Sequence, residues 1–511
     1  MGLSPMSAFK TFDSQKITVP PVLTSFVIFD SAKPFCEDAA GAAQQICFFY
    51  PPNTPLNAQL KQVGLLQAMA SFTLTFPVST PCEVICTRKT KSLMLQMEDR
   101  YWIYVKMRLG TRITVEANGR KLAEYLDNEL PNNVLYSILS RSYARFKMFF
   151  KSFSHVSKTY TDSPALFKDV IDSFFSTYIN SVSKIGSLDI LSSLNGIHRL
   201  PLKKSLYLSI ITAISEMESS FDFISKTCLF YGHHLLWSGL ANTADTHTFY
   251  DYITDPETGK IYDGLVNQIK RKGEAIIDSK PIVLASHTTA ISNSTFNPFF
   301  RATQSMQRAF SGFLVGPEHP YTSSIPIDIK KVYLDEDLKP FGLIVYQFQD
   351  DITFAIFVDL SDPVKARALL DPAIYTQLKS RFDQISMPLL EKLVSAYQDY
   401  TKNIIESPEY SFKFITFNSL TLAVKLSINT TKLLSITSNL AVAIGQLNED
   451  LASSKMGLNE IQMKVSKDTW IVATTHYGTR IFLVITYPDA KLDLISEQVN
   501  QFKTTNMPYY L

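Results

Sequence analysis

Three times along this 511-residue chain, strand-sized apolar runs and helical stretches follow one another in the same order, and each time one tryptophan stands inside a strand: Trp102, Trp237 and Trp470. The first region opens with SFVIFD at 25–30 and ICFFY at 46–50. A helical pattern follows, with Leu56, Leu60, Val63, Leu66 and Ala70 at apolar positions, and then EVICT, YWIYVKMRL at 101–109 and RITVE at 112–116 read as strands. Asn118-Gly119 marks a turn before a helix expected from Lys121 to Phe153. The second region begins with FISKTCLFY and HHLLWSGL, joined around Gly232. A helix follows near Ala244, a strand is expected at 281–285, and a hairpin over 343–360 turns at Asp350-Asp351. The third carries FKFITFNS at 412–419, a helix around 437–451, strands over 463–487 and a terminal helix from Asp489 to Phe502. Between the first two regions, residues 154–220 keep an apolar period and read as connecting helices. The pattern predicts an α/β fold of mixed type, with largely antiparallel sheets and flanking helices, in three units.

Composition narrows the functions open to such a chain. Lys and Arg number 49 and Asp and Glu 47, so the net charge is +2 and no global field exists to hold a polyanion; a nucleic-acid partner is not expected. Five cysteines, an odd count, point to reduced thiols in the cytosol. The start MGLSPMSAFK has no apolar run behind a basic one, so no signal peptide is expected, and the longest apolar runs, such as IFLVIT at 481–486, are strand-sized. Phosphate-binding glycine loops, nucleophile elbows and zinc-protease motifs are absent. Cys82 and Cys86 read as buried structural thiols rather than half of a zinc site, and His233 and His234, as strand neighbours, face opposite ways. No metal, no cofactor and no covalent chemistry are expected.

Several segments resemble one family. FFYPPN, LKQVGLLQAMASFTLTF and DRYWIYVKMR resemble the first longin domain of the CCZ family of vacuolar-fusion proteins. GIHRLPLKKSLYL, CLFYGHHLLWSGL and FYDYIT are similar to its second, and FKFITFNSLTLAVK, DTWIVATTHYGTRIFLVI and SEQVNQFKTTNMPYYL to its third. The resemblance implies three longin domains in tandem, over 20–153, 221–405 and 410–511, with the connecting helices between the first two. It also implies a subunit of a heterodimeric guanine-nucleotide exchange factor, not an enzyme with its own chemistry. The partner would be a Mon-type three-longin subunit, the target a late-endosomal Rab of the Rab-seven class. In animals a third regulatory subunit would join. The process would be fusion of endosomes with lysosomes or vacuoles and of autophagosomes, the place the cytoplasm and those membranes. A sister three-longin complex of the Hermansky–Pudlak or Inturned type, and a tether or adaptor without exchange activity, are the alternatives.

Two stretches hold the candidate residues. In the helix at 57–74 the apolar arc is wider than one sheet face needs, and Gly64 sits mid-helix at a cost of about 1 kcal/mol relative to Ala. Either the arc is core, with a close helix–sheet approach at Gly64, or part of it meets the partner subunit or the Rab. Leu60, Val63, Gly64, Leu66, Gln67 and Met69 are the candidates. In FNPFFRATQSMQRAFSGFLVGP at 296–317, helical spacing would gather Phe296, Phe299, Met306, Phe310, Phe313 and Leu314 on one face and set Arg301 and Arg308 opposite. That arrangement suits peripheral membrane contact, with aromatic anchors and cations for anionic headgroups; a core helix is the other use of the same spacing.

Overall fold

The runs at 25–30, 46–50 and 101–109 do form neighbouring strands. In the computed structural model the described residues are 16–32, 43–73, 75, 83–115, 121–126, 130–161, 163–183, 194–254, 310–316, 329–405, 412–426, 438–453, 459–466, 468–476, 479–486 and 491–506. The chain divides into two compact units, residues 1–139 with 179–188, and residues 140–178 with 189–511.

Five antiparallel strands build the first unit, in the order β3 (Ile46–Tyr50), β2 (Val22–Asp30), β6 (Tyr101–Arg108), β5 (Thr90–Gln96) and β4 (Val84–Cys86). Successive residues face opposite sides of a strand, and here both sides are apolar. Val27, Phe29, Ile46, Phe49, Met94, Trp102 and Tyr104 pack under helix α1 (Leu56–Thr73). Phe26, Ile28, Leu93, Ile103 and Val105, on the other side, are equally buried. Lys91 donates to the Leu130 carbonyl at 2.9 Å, and Tyr136 hydrogen-bonds Glu83, which ties this edge to the entry of α2 (Asn132–Phe150).

β2 and β6 also reach beyond their own sheet. Past Pro20-Pro21 and Leu109 they run on as β1 (Lys16–Val19) and β7 (Gly110–Val115), which pair with each other, and β7 pairs on its other side with β8 (Lys121–Leu126). The two prolines cannot donate to a ladder, so the break falls there. β8 corrects the long helix expected from Lys121: the helix begins at Asn132, and Lys121–Leu126 pairs with β7 from Val115↔Lys121 to Gly110↔Leu126. Leu, Ala and Glu favour a helix locally, but a partner strand overrides so weak a preference.

The second unit starts in a helical knot. α2 continues into it, followed by α3 (Phe153–Thr159), capped by the Ser152 hydroxyl accepting from the His155 amide, and α4 (Pro164–Ser183). Phe146, Phe153, Phe174 and Phe175 are fully buried there with ring centroids 4.6–6.0 Å apart. After β9 (Ile197–His198) and α5 (Lys204–Ser220) comes a sheet ordered β11 (His234–Ser238), β10 (Lys226–Tyr231), β15 (Ile352–Asp359), β14 (Lys339–Phe348) and β12 (Gly312–Val315), with β13 (Lys330–Leu334) also on β14. Gln349 and Asp350 take positive φ at the β14–β15 turn, as a tight hairpin requires. One face of this sheet carries Leu229, Ile344, Tyr346, Phe354 and Ile356. These pack on Leu206, Ile210, Ile214 and Met217 of α5 and on Tyr375, Leu378, Phe382 and Ile385 of α8 (Pro372–Ile405), which follows the short α7 (Pro363–Ala368). On the other face Phe230 and Phe357 meet Phe249 of α6 (Thr243–Thr254).

The third large sheet runs β18 (Glu460–Lys464), β19 (Thr469–His476), β20 (Thr479–Thr486), β16 (Phe412–Asn418), β17 (Ala423–Leu426) and β9. Alternation again separates two cores. Ile415, Phe417, Ile471, Ala473, Phe482 and Val484 face α9 (Ser438–Ser453); Val472, Ile481, Leu483 and Ile485 face Ile495, Val499 and Phe502 of α10 (Leu492–Asn506). The three tryptophans sit in β6, β11 and β19. The fold is mixed α/β with antiparallel sheets and helices on their faces. The strand expected at 281–285 lies outside the described residues.

Candidate functional site

Helix α1 is the element around which a surface can be built. Its entry is fixed locally: Thr54 Oγ1 donates to the Pro51 carbonyl at 2.8 Å, and Gln59 Nε2 to the Thr54 carbonyl at 2.7 Å. Gln62 Nε2 then donates to Ser25 Oγ at 3.0 Å, pinning the helix across β2. Val63, Leu66 and Ala70 face the sheet, with Leu60 packed at the edge of that core. Burial raises the Tyr104 phenol beneath them above its ordinary value, so it stays neutral. At the far end of β2 the buried Asp30 carboxylate pairs with Arg100, and this hydrogen bond raises the guanidinium's pKa further.

The opposite side of α1 is apolar as well. Leu65 is 59% exposed and Phe72 62% exposed, seven residues apart and therefore on one line along the helix. Lys61 and Ala68 lie on the same line and are also exposed. Lys61 is the one charge in the sequence of the helix, which contains no acidic residue. A Cβ built on Gly64 meets nothing within 4 Å, so the glycine is not required for close approach to the sheet.

These placements revise the sequence candidates. Val63 and Leu66 are core, 1% and 3% exposed, because they lie about 200° round the helix from Leu65 or on its flank; they are not surface residues. Gly64, Gln67 and Met69 are half-buried along the flanks. The exposed pair Leu65 and Phe72 was missed, although two large apolar residues off the main arc are visible in the helical spacing.

The amphipathic stretch is also revised. Phe296, Phe299, Arg301, Met306 and Arg308 lie outside the described residues. Phe310, Phe313 and Leu314 are described and are not helical. β12 covers Gly312–Val315, with a register shift against β14 at Leu314: Phe313 packs on the Tyr346 and Tyr375 rings at 5.1 and 5.6 Å, while Leu314, the extra residue, is exposed. Phe310 is exposed too, held by its amide donating to Asp350 Oδ2 at 3.2 Å and its carbonyl accepting from the Asp350 amide at 3.0 Å.

Elsewhere the polar constellations are internal. His247 lies 3.6 Å from Asp251, which also receives Arg141 at 3.6 Å and Arg145 at 3.9 Å; desolvation pushes His247 down to about 4, so at neutral pH it is an uncharged buried ring. Cys86 is exposed in β4, not buried, and Cys82 lies outside the described residues. Among the described residues no group of three His, Cys, Asp or Glu is placed to hold a metal ion. Nor is any helix among them long and apolar enough to cross a membrane.

Comparison with known proteins bears on the same region. Residues 23–151 match the family model described as the first longin domain of INTU, CCZ1 and HPS4, and residues 409–502 match Intu longin-like domain 3. Along nearly its full length the chain is similar to proteins named vacuolar fusion protein CCZ1 homolog. That from Dictyostelium discoideum is 27% identical over 96% of this chain and 98% of its own, and that from Nematostella vectensis 24% identical over 95% and 96%. The Xenopus laevis protein is 23% identical over 97% and 98%.

The likeness to CCZ proteins runs the length of the chain.

In this chain α1 and almost all of its sheet lie inside the match to the first longin domain, and β16 to α10 lie almost wholly within the match to longin-like domain 3.

Proposed function

We propose that this chain is the CCZ-type subunit of a heterodimeric guanine-nucleotide exchange factor, paired with a Mon-type three-longin partner and acting on a late-endosomal Rab of the Rab-seven class. Its role would be fusion of late endosomes with lysosomes or vacuoles, and of autophagosomes. The observation that carries the reading is the outward apolar line of α1. Leu65 and Phe72 stand in water on the helix that packs on one face of the first longin domain's sheet. Burying such side chains in a partner is worth about 1.5–3 kcal/mol each. The full-length likeness to vacuolar fusion proteins favours this role over that of the Hermansky–Pudlak or Inturned relatives.

Exchange needs no general base and transfers no atoms. It needs a surface that binds the GTPase on the way to nucleotide release better than the loaded GTPase, so the rate gain is differential binding. An apolar helix face capturing a switch segment supplies that. Peripheral membrane contact belongs to the same proposal, with Phe296, Phe299, Arg301, Met306 and Arg308 as its remaining candidates.

The test is release of fluorescent GDP from the Rab by this chain with its Mon-type partner, in solution and on liposomes. Acceleration by the pair, lost when Leu65→Asp and Phe72→Asp are combined, is the expected result. Acceleration of a different Rab would move the chain to a sister complex. Binding of the GTP-loaded Rab with no acceleration would make it a tether.

A further inference from the structure

Between α4 and α5 the segment Leu194–Leu200 does something no linker needs to do. Its middle, β9, pairs in parallel with β17, Ile197 opposite Ala423 and His198 opposite Val424, and the Ile197 amide donates to the Leu422 carbonyl at 2.7 Å. One residue later Arg199 forms a parallel bridge to Leu235 of β11. The segment therefore lies between the outer strand of the second large sheet and the outer strand of the third, bonded to both. Its ends are fixed in different cores. Leu194 is buried with Ile415, Phe417 and Ile444, and Leu200 with Leu206, Leu236 and Ile356. Those two cores are otherwise separate clusters, each complete with its own helices.

The local sequence is fitted to the position. Asn195 takes a left-handed φ of +52°, and its side chain accepts from Arg141 Nε at 3.0 Å. A Cβ on Gly196 would stand 2.2 Å from Val424 Cγ2 and 3.5 Å from the Leu422 carbonyl oxygen, so only glycine passes there without displacing β17. The His198 amide donates to the Tyr250 hydroxyl at 3.4 Å, and its ring meets that of His234 at 5.7 Å. His234 in turn touches Tyr397 of α8 at 5.7 Å. Two sheet edges that would otherwise present unpaired backbone are covered by seven residues.

We infer that Leu194–Leu200 is a coupling strap: it holds the second and third sheets as one body, and its loss frees them from each other without unfolding either.

The experiment is hydrogen exchange and thermal unfolding on the full chain bearing Gly196→Ala, Val424→Ala, or both. With Gly196→Ala alone, exchange at the β11 and β17 amides should rise at least tenfold and the single melting transition should split in two. The inner amides of β15 and β20 should stay protected. Adding Val424→Ala removes the atom that the new methyl strikes, and should bring back slow exchange and one transition. Faster exchange confined to 194–200, with one transition throughout, would overturn the inference, because the strap would then couple nothing. Loss of protection in β15 and β20 together with β11 and β17 would overturn it too, because the sheets would then share a single core.

Discussion

Helices α1 and α9 have the same task and are finished differently. Each covers one face of an antiparallel sheet, α1 with 18 residues and α9 with 16. α9 turns its apolar residues inward: Ala441, Ala443, Ile444 and Leu447 are all in the third sheet's core, and no large exposed apolar side chain is found among its described residues. α1 gives its sheet Val63, Leu66 and Ala70 and keeps Leu65 and Phe72 outside. A helix needs an apolar stripe on one side to dock. A second stripe adds nothing to the fold of its own unit, and the proposed function gives it a use as a binding surface. On that proposal the difference separates an element made for stability from one made for stability and contact.

The strongest way to break this contrast is to attack the inward residues. Leu66→Ala should cost about 2–5 kcal/mol, and Ile444→Ala should cost the third sheet a similar amount, both read by urea unfolding. If Leu66→Ala were neutral, α1 would not be docked as described.

Acid should distinguish the two units next. The first unit's residues, 1–139 and 179–188, include no histidine. In the second, desolvation and neighbouring histidines push His198 down to about 3; desolvation and His233 push His234 to about 4; and desolvation puts His247 at about 4. Because these folded-state values lie below the ordinary 6.5, the unfolded chain binds the protons first. Stability is therefore full above pH 6.5 and falls as the pH drops towards 4, by on the order of 1 kcal/mol per pH unit for each ring. Unfolding followed by a fluorophore in each unit between pH 7 and pH 4.5 should show the second unit lost first. Equal loss in both would contradict the desolvated rings.

The outward residues should behave in the opposite manner to Leu66. Leu65→Asp with Phe72→Asp should leave unfolding within about 0.5 kcal/mol of the parent chain. The same change should lower association with the partner pair at least tenfold, about 1.4 kcal/mol. A large drop in stability would make them structural. The smallest effect belongs to Gly64→Ala. With open space where the methyl would go, helix propensity alone should raise stability by about 1 kcal/mol, and a lower melting temperature would reveal a neighbour at that position.

Much of the sheet framework was legible because apolar runs such as ICFFY and ITFAIFVD are buried on both faces and announce themselves. TKSLMLQ and KLAEYL were not, since neither has the β-branched or aromatic density of a strand and each is held by its neighbour's hydrogen bonds. On α1 the helix and its core side were readable from spacing, but a wide arc does not say where burial ends. Only the sheet beneath Val63 decides that Leu65 is outside. Phe313 and Leu314 misled for a related reason: adjacent residues lie about 100° apart on a helix, so both fit one broad face, whereas in β12 the register shift at Leu314 leaves that residue in solvent beside a paired Phe313. Phe313 then goes to the core.

The prolines at 20 and 21 interrupt a ladder without ending the partnership of its strands. β2 pairs with β6 up to Val22↔Arg108, and β1 resumes with β7 at Val19↔Thr111. A register shift between Leu23 and Ser25 separates that shared alignment from the inner one, which runs from Ser25↔Lys106 to Asp30↔Tyr101. A slip by one residue inside the shift would turn Val27 and Phe29 away from α1 and leave the small outer sheet as it is. Phe29 and Trp102, stacked 6.4 Å apart, thus hold the inner register, while Val22 and Arg108 carry the outer one across the prolines.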